Sequence, residues 1–491
     1  MSHLRSDGAT GAVAHFPLMV PGATPSAELA EIESPFDRTV IGTVEQGDAT
    51  VARRALDTAA SLFADRDAWL SPAARIDILN RTAALMAERR ESLALEAARE
   101  GGKPLADSLV ETDRAIEGVK LCVETLRTQG GVEIPMNLSA ASAGRAAFTQ
   151  IEPAGVVVAF SAFNHPLNLI VHQVGPAVAA GCPVIVKPAE TTPLSCMRFV
   201  GILREAGLPD PWCQALLTTG HDVSTVLVTD ERVAFFSFIG SARVGWMLRS
   251  TLAAGTRCAL EHGGAAPVIV AGDADVDAAL PLLAKGGFYH AGQVCVSVQR
   301  VFAHRSVARR LADDLAGLAA KLTVGDPTRA DTEVGPLIRE AEVRRVDEWV
   351  QQAQAGGAKI LCGGQAVSST CYAPTVLLEP PADARVSTEE IFGPVVCVYA
   401  YDDLDDAIAR ANALPFAFQA SVFTRDLDTA IRASRRLAAS AVMINDHTAF
   451  RVDWMPFAGL RHSGLGTGGI PYTMKDMQIE KLVVVRSTEM G

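Results

Sequence analysis

Several things are missing from this chain, and each absence removes a class of function. It has no excess of positive charge: 44 Lys and Arg stand against 56 Asp and Glu, a formal net charge of −12. Binding a phosphate backbone needs a basic face, so nucleic acid is excluded as the main partner. It has no apolar run of membrane-spanning length. The longest, around residues 156–163, is as long as a strand and excludes a span. The first residues, Met1 to Gly8, contain no apolar leader core and read as a loose tail. The nine cysteines show neither metal-ligand spacing nor the dense framework of a short secreted domain. They read as reduced thiols of a cytoplasmic protein with no metal site. Internal repeats and low-complexity tracts are absent.

What remains is an ordinary globular composition, 49% hydrophobic and 20% charged over 491 residues, which is room for two or three domains. From residue 153 short apolar runs alternate with amphipathic stretches. Residues 156–160, 183–187, 214–217 and 233–238 read as buried strands, with helices over 167–180 and 193–206 closed by Gly181 and Gly207. Continuous β-branched and aromatic runs separated by helices predict a doubly wound α/β layer with a parallel sheet. Ligands of such layers sit at the carboxyl ends of the strands. Asn164, Lys187 and Ser241 all fall just after predicted strands. A second α/β unit spans about 264–445, with strands at 268–270, 301–303, 375–378 and 395–399 and a helix over 308–321. Residues 130–150 suggest a projecting hairpin, and 481–486 a lone strand with no obvious local partner.

Cys295 sits in Tyr289-His290-Ala291-Gly292-Gln293-Val294-Cys295-Val296-Ser297, and Glu261 opens Glu261-His262-Gly263-Gly264, 34 residues upstream. A thiolate is a strong nucleophile that needs help to form near neutral pH, and a nearby carboxylate can activate water. Taken singly, the other candidates have plain structural readings. Asn164 suits a turn before Pro166, and Ser241 suits a helix N-cap. Glu261, Lys187, Glu190 and Glu390 suit solvated charges, and Phe392 a core aromatic. Arg114 suits a helix-surface arginine paired with Asp113 or Glu117. The cofactor fingerprint Gly-x-Gly-x-x-Gly does not stand in its usual place. Gly240-Ser241-Ala242-Arg243-Val244-Gly245 opens a helix instead, where a hydroxyl and a helix N-terminus can take a phosphate oxygen.

In this order the blocks Ser34-Pro35-Phe36-Asp37, Asn164 before Pro166, Lys187-Pro188-Ala189-Glu190, Phe238-Ile239-Gly240-Ser241, Glu261-His262-Gly263-Gly264, the Cys295 segment and Glu389-Glu390-Ile391-Phe392-Gly393-Pro394 resemble the aldehyde dehydrogenase superfamily. The resemblance covers nearly the whole chain. It implies a Rossmann-like cofactor domain over 1–129 and 151–261 and a catalytic domain over 262–445. It also implies an oligomerisation hairpin and tail strand over 130–150 and 472–491, pairing across subunits of a homodimer or homotetramer. The implied reaction oxidises a small, polar or anionic aldehyde to the acid with NAD, or alternatively NADP. Cys295 would be the nucleophile, Asn164 the oxyanion donor and Glu261 the base that activates water against the thioester. Lys187 and Glu190 would hold the adenosine ribose, Gly240 and Ser241 a phosphate, and Glu390 and Phe392 the nicotinamide ribose. His165 and Arg114 are the candidate substrate contacts.

Four departures accompany the resemblance. Gln173 and Gly468 stand where many members have lysine and glutamate. Residues 221–225 replace a glycine-rich stretch. Val294 stands where phosphate-handling members often have arginine. An acylating, coenzyme A-dependent enzyme or a catalytically impaired binding relative is the alternative class. The Glu261-type base argues against the former.

Overall fold

The computed structural model describes residues 13–490, so the Met1–Gly8 tail lies outside the described residues. Its centre is a six-stranded sheet in the order Gly464–Leu465, Arg257–Glu261, Val233–Ile239, Val156–Phe160, Val184–Lys187, Cys213–Ala215. All neighbours run parallel except the Gly464–Leu465 edge. Val156 to Phe160 and Val184 to Lys187 are buried along their whole length, as the unbroken apolar runs require of a sheet covered on both faces.

One predicted strand is corrected. Residues 214–217 belong to two elements, Cys213–Ala215 in this sheet and Leu217–Thr218, which pairs with Gln46 and Gly47 in another. The chain changes sheets at Leu216.

Two helices over the first sheet begin without a capping side chain of their own. Distant carboxylates do the work. Glu111 Oε1 accepts the amide hydrogens of Leu167 and Asn168, both at 3.0 Å, and fixes the start of the helix Asn168–Ala180. Glu100 accepts from the amides of Leu194 and Ser195 and starts the helix Leu194–Glu205. Free N–H groups at a helix start favour a nearby negative charge. Both acids are almost fully buried, at 1% and 0% exposure, and Glu111 is neutralised by the equally buried Lys103. Gly181, at φ 87°, then closes Asn168–Ala180 in the left-handed region, where a glycine is favoured.

The second sheet has seven strands in the order Lys359–Cys362, Thr375–Leu378, Val395–Tyr401, Val298–His304, Ala266–Val270, Gln419–Phe423, Ala441–Ile444. Only Lys359–Cys362 runs antiparallel. A single core of aliphatic residues from this sheet and the helices Val276–Phe288, Arg305–Ala319 and Glu340–Ala355 holds the second unit together. Gly263-Gly264 joins the last long strand of the first sheet, Arg257–Glu261, to Ala266–Val270 of the second.

The tail strand is the other correction. Gln478–Arg486 has a partner in its own chain, pairing antiparallel with Arg145–Pro153 over nine residues, beside Glu133–Ile134. Sequence distance hid this contact.

Replacing Glu111 with Ala strands the Lys103 charge and two amide donors in the core. We expect a loss of about 3–5 kcal/mol, read as a lowered urea midpoint. A midpoint equal to wild type would show that the pair contributes nothing.

Candidate active site

The nucleophile loop is built with backbone strain. After the helix Val276–Phe288, His290, Ala291 and Gly292 take φ values of 48°, 52° and 70° in succession. Two of these are non-glycine residues in the left-handed region, a conformation held only when the surroundings dictate it. The surroundings are tight: a Cβ on Gly292 would lie 2.1 Å from the Gly393 carbonyl oxygen. Gln293 then pins the loop. Its Oε1 accepts from the Ile338 amide at 2.9 Å, and its Nε2 donates to the Pro336 carbonyl at 3.2 Å. Its own carbonyl accepts from Asn164 Nδ2 at 2.9 Å, leaving the second N–H of that amide free. Asn164 is thereby tied by one hydrogen bond to the backbone two residues before Cys295.

Cys295 opens onto a cleft of about 800 Å³ between the two units. All eleven sequence-predicted residues line it: Arg114, Asn164, His165, Lys187, Glu190, Gly240, Ser241, Glu261, Cys295, Glu390 and Phe392. Burial pushes the Cys295 thiol up to about 12, against the pull of the Arg451 guanidinium, with Glu261 and Glu390 adding to the rise. Burial raises the Glu261 carboxyl too, again opposed by Arg451. Both groups are therefore biased toward their neutral forms in the ligand-free enzyme. Glu261 ends the strand Arg257–Glu261, and its carboxylate lies against Gly468, where a Cβ would come within 2.2 Å of Oε1.

One end of the cleft has the parts a dinucleotide requires. Ser241 occupies the cap position of the helix Ala242–Arg249 but makes no capping bond, so its exposed hydroxyl and the helix N-terminus are open to a phosphate oxygen. Lys187 Nζ lies 3.6 Å from the exposed Glu190 carboxylate, a pair suited to sugar hydroxyls. Glu390 is pushed to about 8 by burial, although it accepts the Gly264 amide at 3.0 Å. A Cβ on Gly263 would fall 1.6 Å from that carboxyl, so only glycine admits it. Phe392 packs edge-on to Phe163, with ring centres 5.9 Å apart.

The other end is cationic and contains residues the sequence reading missed. Arg114 is not paired with Asp113 or Glu117, which bind Arg90 and Lys120. It forks onto Asp453 at 2.6 and 3.1 Å, and His172 Nε2 lies 2.8 Å from the same carboxylate. Arg451 lies over the Phe457 ring at 3.5 Å, its Nη2 is 3.4 Å from His172 Nδ1, and its buried Nε has no partner. Burial, then Lys103, holds His165 well below the usual imidazole range, so it is neutral here, with Nε2 3.4 Å from the Tyr289 hydroxyl. The signal for Arg451 and Asp453 was present: two opposite charges in the otherwise apolar stretch Phe450-Arg451-Val452-Asp453-Trp454. Gln173 is no base. Its amide donates to the Phe160 carbonyl at 3.0 Å and the Ser237 hydroxyl at 2.9 Å, tying two strands together. Among the described residues no helix is long and apolar enough to cross a membrane, and no cluster of three metal-ligating side chains occurs.

Comparison with known proteins agrees with this geometry. The model of the aldehyde dehydrogenase family matches residues 23–483. A 3-sulfolactaldehyde dehydrogenase of Priestia aryabhattai is 38% identical over 84% of this chain and 87% of its own. The structure of aldehyde dehydrogenase 21 from Physcomitrella patens, in complex with the reaction product succinate, superposes with TM-score 0.92 at 31% identity, covering 97% of this chain and 99% of that one. Betaine aldehyde dehydrogenase from Staphylococcus aureus, bound to NAD+, gives TM-score 0.91 at 28% identity, over 97% and 95%. With the family model spanning nearly the whole chain and the same fold in its solved relatives, this protein belongs to the aldehyde dehydrogenase family and is an NAD(P)-dependent enzyme of that family.

Proposed function

We propose that the enzyme oxidises a small aldehyde bearing an anionic group to the corresponding acid, with Cys295 as nucleophile. The observation that carries the substrate reading is Arg451, a buried guanidinium with an unpartnered Nε in the wall of the same cleft as Cys295 and Glu261. A buried guanidinium without a hydrogen-bonded counter-ion is costly, and an anionic ligand would relieve that cost. The relatives named for 3-sulfolactaldehyde and crystallised with succinate handle anionic compounds, which supports the reading.

In this mechanism the Cys295 thiol gives up its proton to water in the cleft, and the thiolate adds to the carbonyl carbon to form the thiohemiacetal oxyanion. The free N–H of Asn164 and the Cys295 amide stabilise the resulting oxyanion, a contribution of about 3 kcal/mol per donor. The nicotinamide cofactor, when bound, supplies the hydride acceptor. Glu261 then takes a proton from the water that hydrolyses the Cys295 thioester, and its raised affinity for protons suits that task near neutral pH. Lys187 and Glu190 hold the adenosine ribose, Ser241 and the Gly240 turn a phosphate, and Glu390 and Phe392 the second ribose.

We further propose a homodimer or homotetramer working in the cytoplasm. The edge strand Gln478–Arg486 exposes Leu482 and Val484 at 55% and 50%, a liability that a second copy would cover, readable from the sedimentation mass.

Three outcomes are expected. Cys295→Ala abolishes oxidation yet keeps cofactor binding, while Glu261→Gln gives a burst of NADH followed by a slow steady rate. Coenzyme A should not accelerate that slow phase, and loss of the burst would move Glu261 to thiol activation. NAD should be preferred to NADP by roughly 30- to 150-fold in kcat/KM, with Glu190→Ser narrowing the ratio. A wild type that favours NADP would remove the ribose assignment from Glu190. Finally, 4-oxobutanoate should exceed neutral butanal in kcat/KM by tenfold or more, roughly 1.4 kcal/mol, and Arg451→Gln should erase the difference. Equal rates for both aldehydes in the wild type would refute the anionic reading.

A further inference from the structure

The substrate end of the cleft has a definite charge count. Asp453 is fully engaged: Arg114 forks onto it at 2.6 and 3.1 Å, and His172 bonds to it at 2.8 Å. Arg114 is therefore neutralised. His172 is uncharged, since burial lowers its proton affinity further than the Asp453 hydrogen bond restores it. Around this group the other charges cancel in pairs, Lys103 with Glu111 at 2.5 Å and Lys285 with Asp107 at 2.6 Å. Among the described residues at this end, Arg451 is the cation left without a hydrogen-bonded carboxylate, beside Glu261, whose carboxyl burial biases toward its neutral form. Arg451 is 3.9 Å from the nearest Asp453 oxygen, outside hydrogen-bond range. Val294, beside the nucleophile, packs in an apolar cluster with Val296, Phe418 and Phe457 and brings no further cation.

Building on the anionic-aldehyde reading above, we propose that this end of the cleft selects a singly charged head group, carboxylate or sulfonate, and rejects a doubly charged phosphonate or phosphate, with Asp453 setting the count. One negative charge closes the balance with Arg451. A second would have to draw Arg114 away, which strands the buried Asp453 carboxylate and costs more than an exposed ion pair returns. Carboxylate and sulfonate share the feature that matters here, a fixed single charge, whereas a phosphate monoester carries between one and two near neutral pH. Asp453 touches no substrate in this account. It is a positioning residue that keeps Arg114 occupied.

The test uses the wild-type holoenzyme and four aldehydes of matched chain, OHC–CH2–CH2–X, with X as methyl, carboxylate, sulfonate or phosphonate. Above the second pKa of the phosphonate we expect its kcat/KM to fall below that of the sulfonate by about tenfold or more. As the pH drops and the phosphonate becomes a monoanion, the ratio should rise toward one, the sulfonate correcting for titration of the enzyme itself. A ratio that does not change with pH, or that favours the dianion, would overturn the proposal. Asp453→Asn frees Arg114, so the dianion should gain about tenfold on the monoanion. An unchanged ratio in a folded variant removes Asp453 from the selection, and if the variant does not fold the wild-type pH series decides alone. Should none of the anions outperform the methyl compound, the anionic reading itself fails. Carboxylate and sulfonate ahead of methyl, with the phosphonate dianion equal to them, would defeat only the charge count.

Discussion

The buried contact from Glu111 to the start of the helix Asn168–Ala180 is the constraint on which the site depends. That helix begins four residues after Asn164, and its first two turns carry Asn168 and His172 into the cleft. Its own sequence offers no cap, so without the Glu111 carboxylate the first amides would have no partner and the start could slide by a residue. A slide would turn Asn164 away from the Gln293 carbonyl and unseat the nucleophile loop. The carboxylate is in turn paired in a dry interior with the equally buried Lys103. The Lys103–Glu111 ion pair thus fixes the helix start that follows Asn164, and Asn164 in turn bonds the Gln293 carbonyl two residues before the reacting cysteine.

A closed site has a cost that the residues share out. Removing Cys295, Glu261 and Glu390 from water biases all three toward neutrality, which is the wrong state for a thiolate nucleophile. Arg451 is the one nearby cation that opposes the shift on both Cys295 and Glu261. Its guanidinium is held by the Phe457 face and grazed by His172, and the nearest Asp453 oxygen, at 3.9 Å, makes no hydrogen bond to it. The same lack of a partner that makes Arg451 available to an anionic substrate also leaves its field directed at the sulfur. Binding an anion there would weaken that field, so substrate charge and thiol activation are coupled through a single side chain.

Much of this was legible in the sequence, for a physical reason. Doubly wound sheets bury whole strands, and runs such as Val156 to Phe160 or Val233 to Phe238 have no other stable placement. The rule that ligands gather at strand ends then places Asn164, Lys187 and Ser241 together without knowledge of distances. Partnerships across the chain were not legible. Arg114 meets Asp453 across 339 residues, and Gln478–Arg486 pairs with a strand more than 300 residues earlier. Periodicity speaks to which face a residue takes, not to what it meets there. Local alternatives therefore looked sufficient for Arg114, and the tail strand looked alone.

The two departures at Gln173 and Gly468 read differently once their neighbours are known. A lysine at position 173 would place a charge where Gln173 now satisfies the Phe160 and Ser237 carbonyls and the Ser237 hydroxyl, inside a sheet with 1% of the residue exposed. With glutamine there, the position serves to join strands and has no proton to relay. At position 468 any Cβ would collide with the Glu261 carboxylate as it now lies, at 2.2 Å. Glycine therefore widens the range open to Glu261, which can rest against the Gly468 backbone and is not crowded by a second acid. The two replacements thus leave Glu261 as the one carboxylate beside Gly468, with position 173 given over to joining strands.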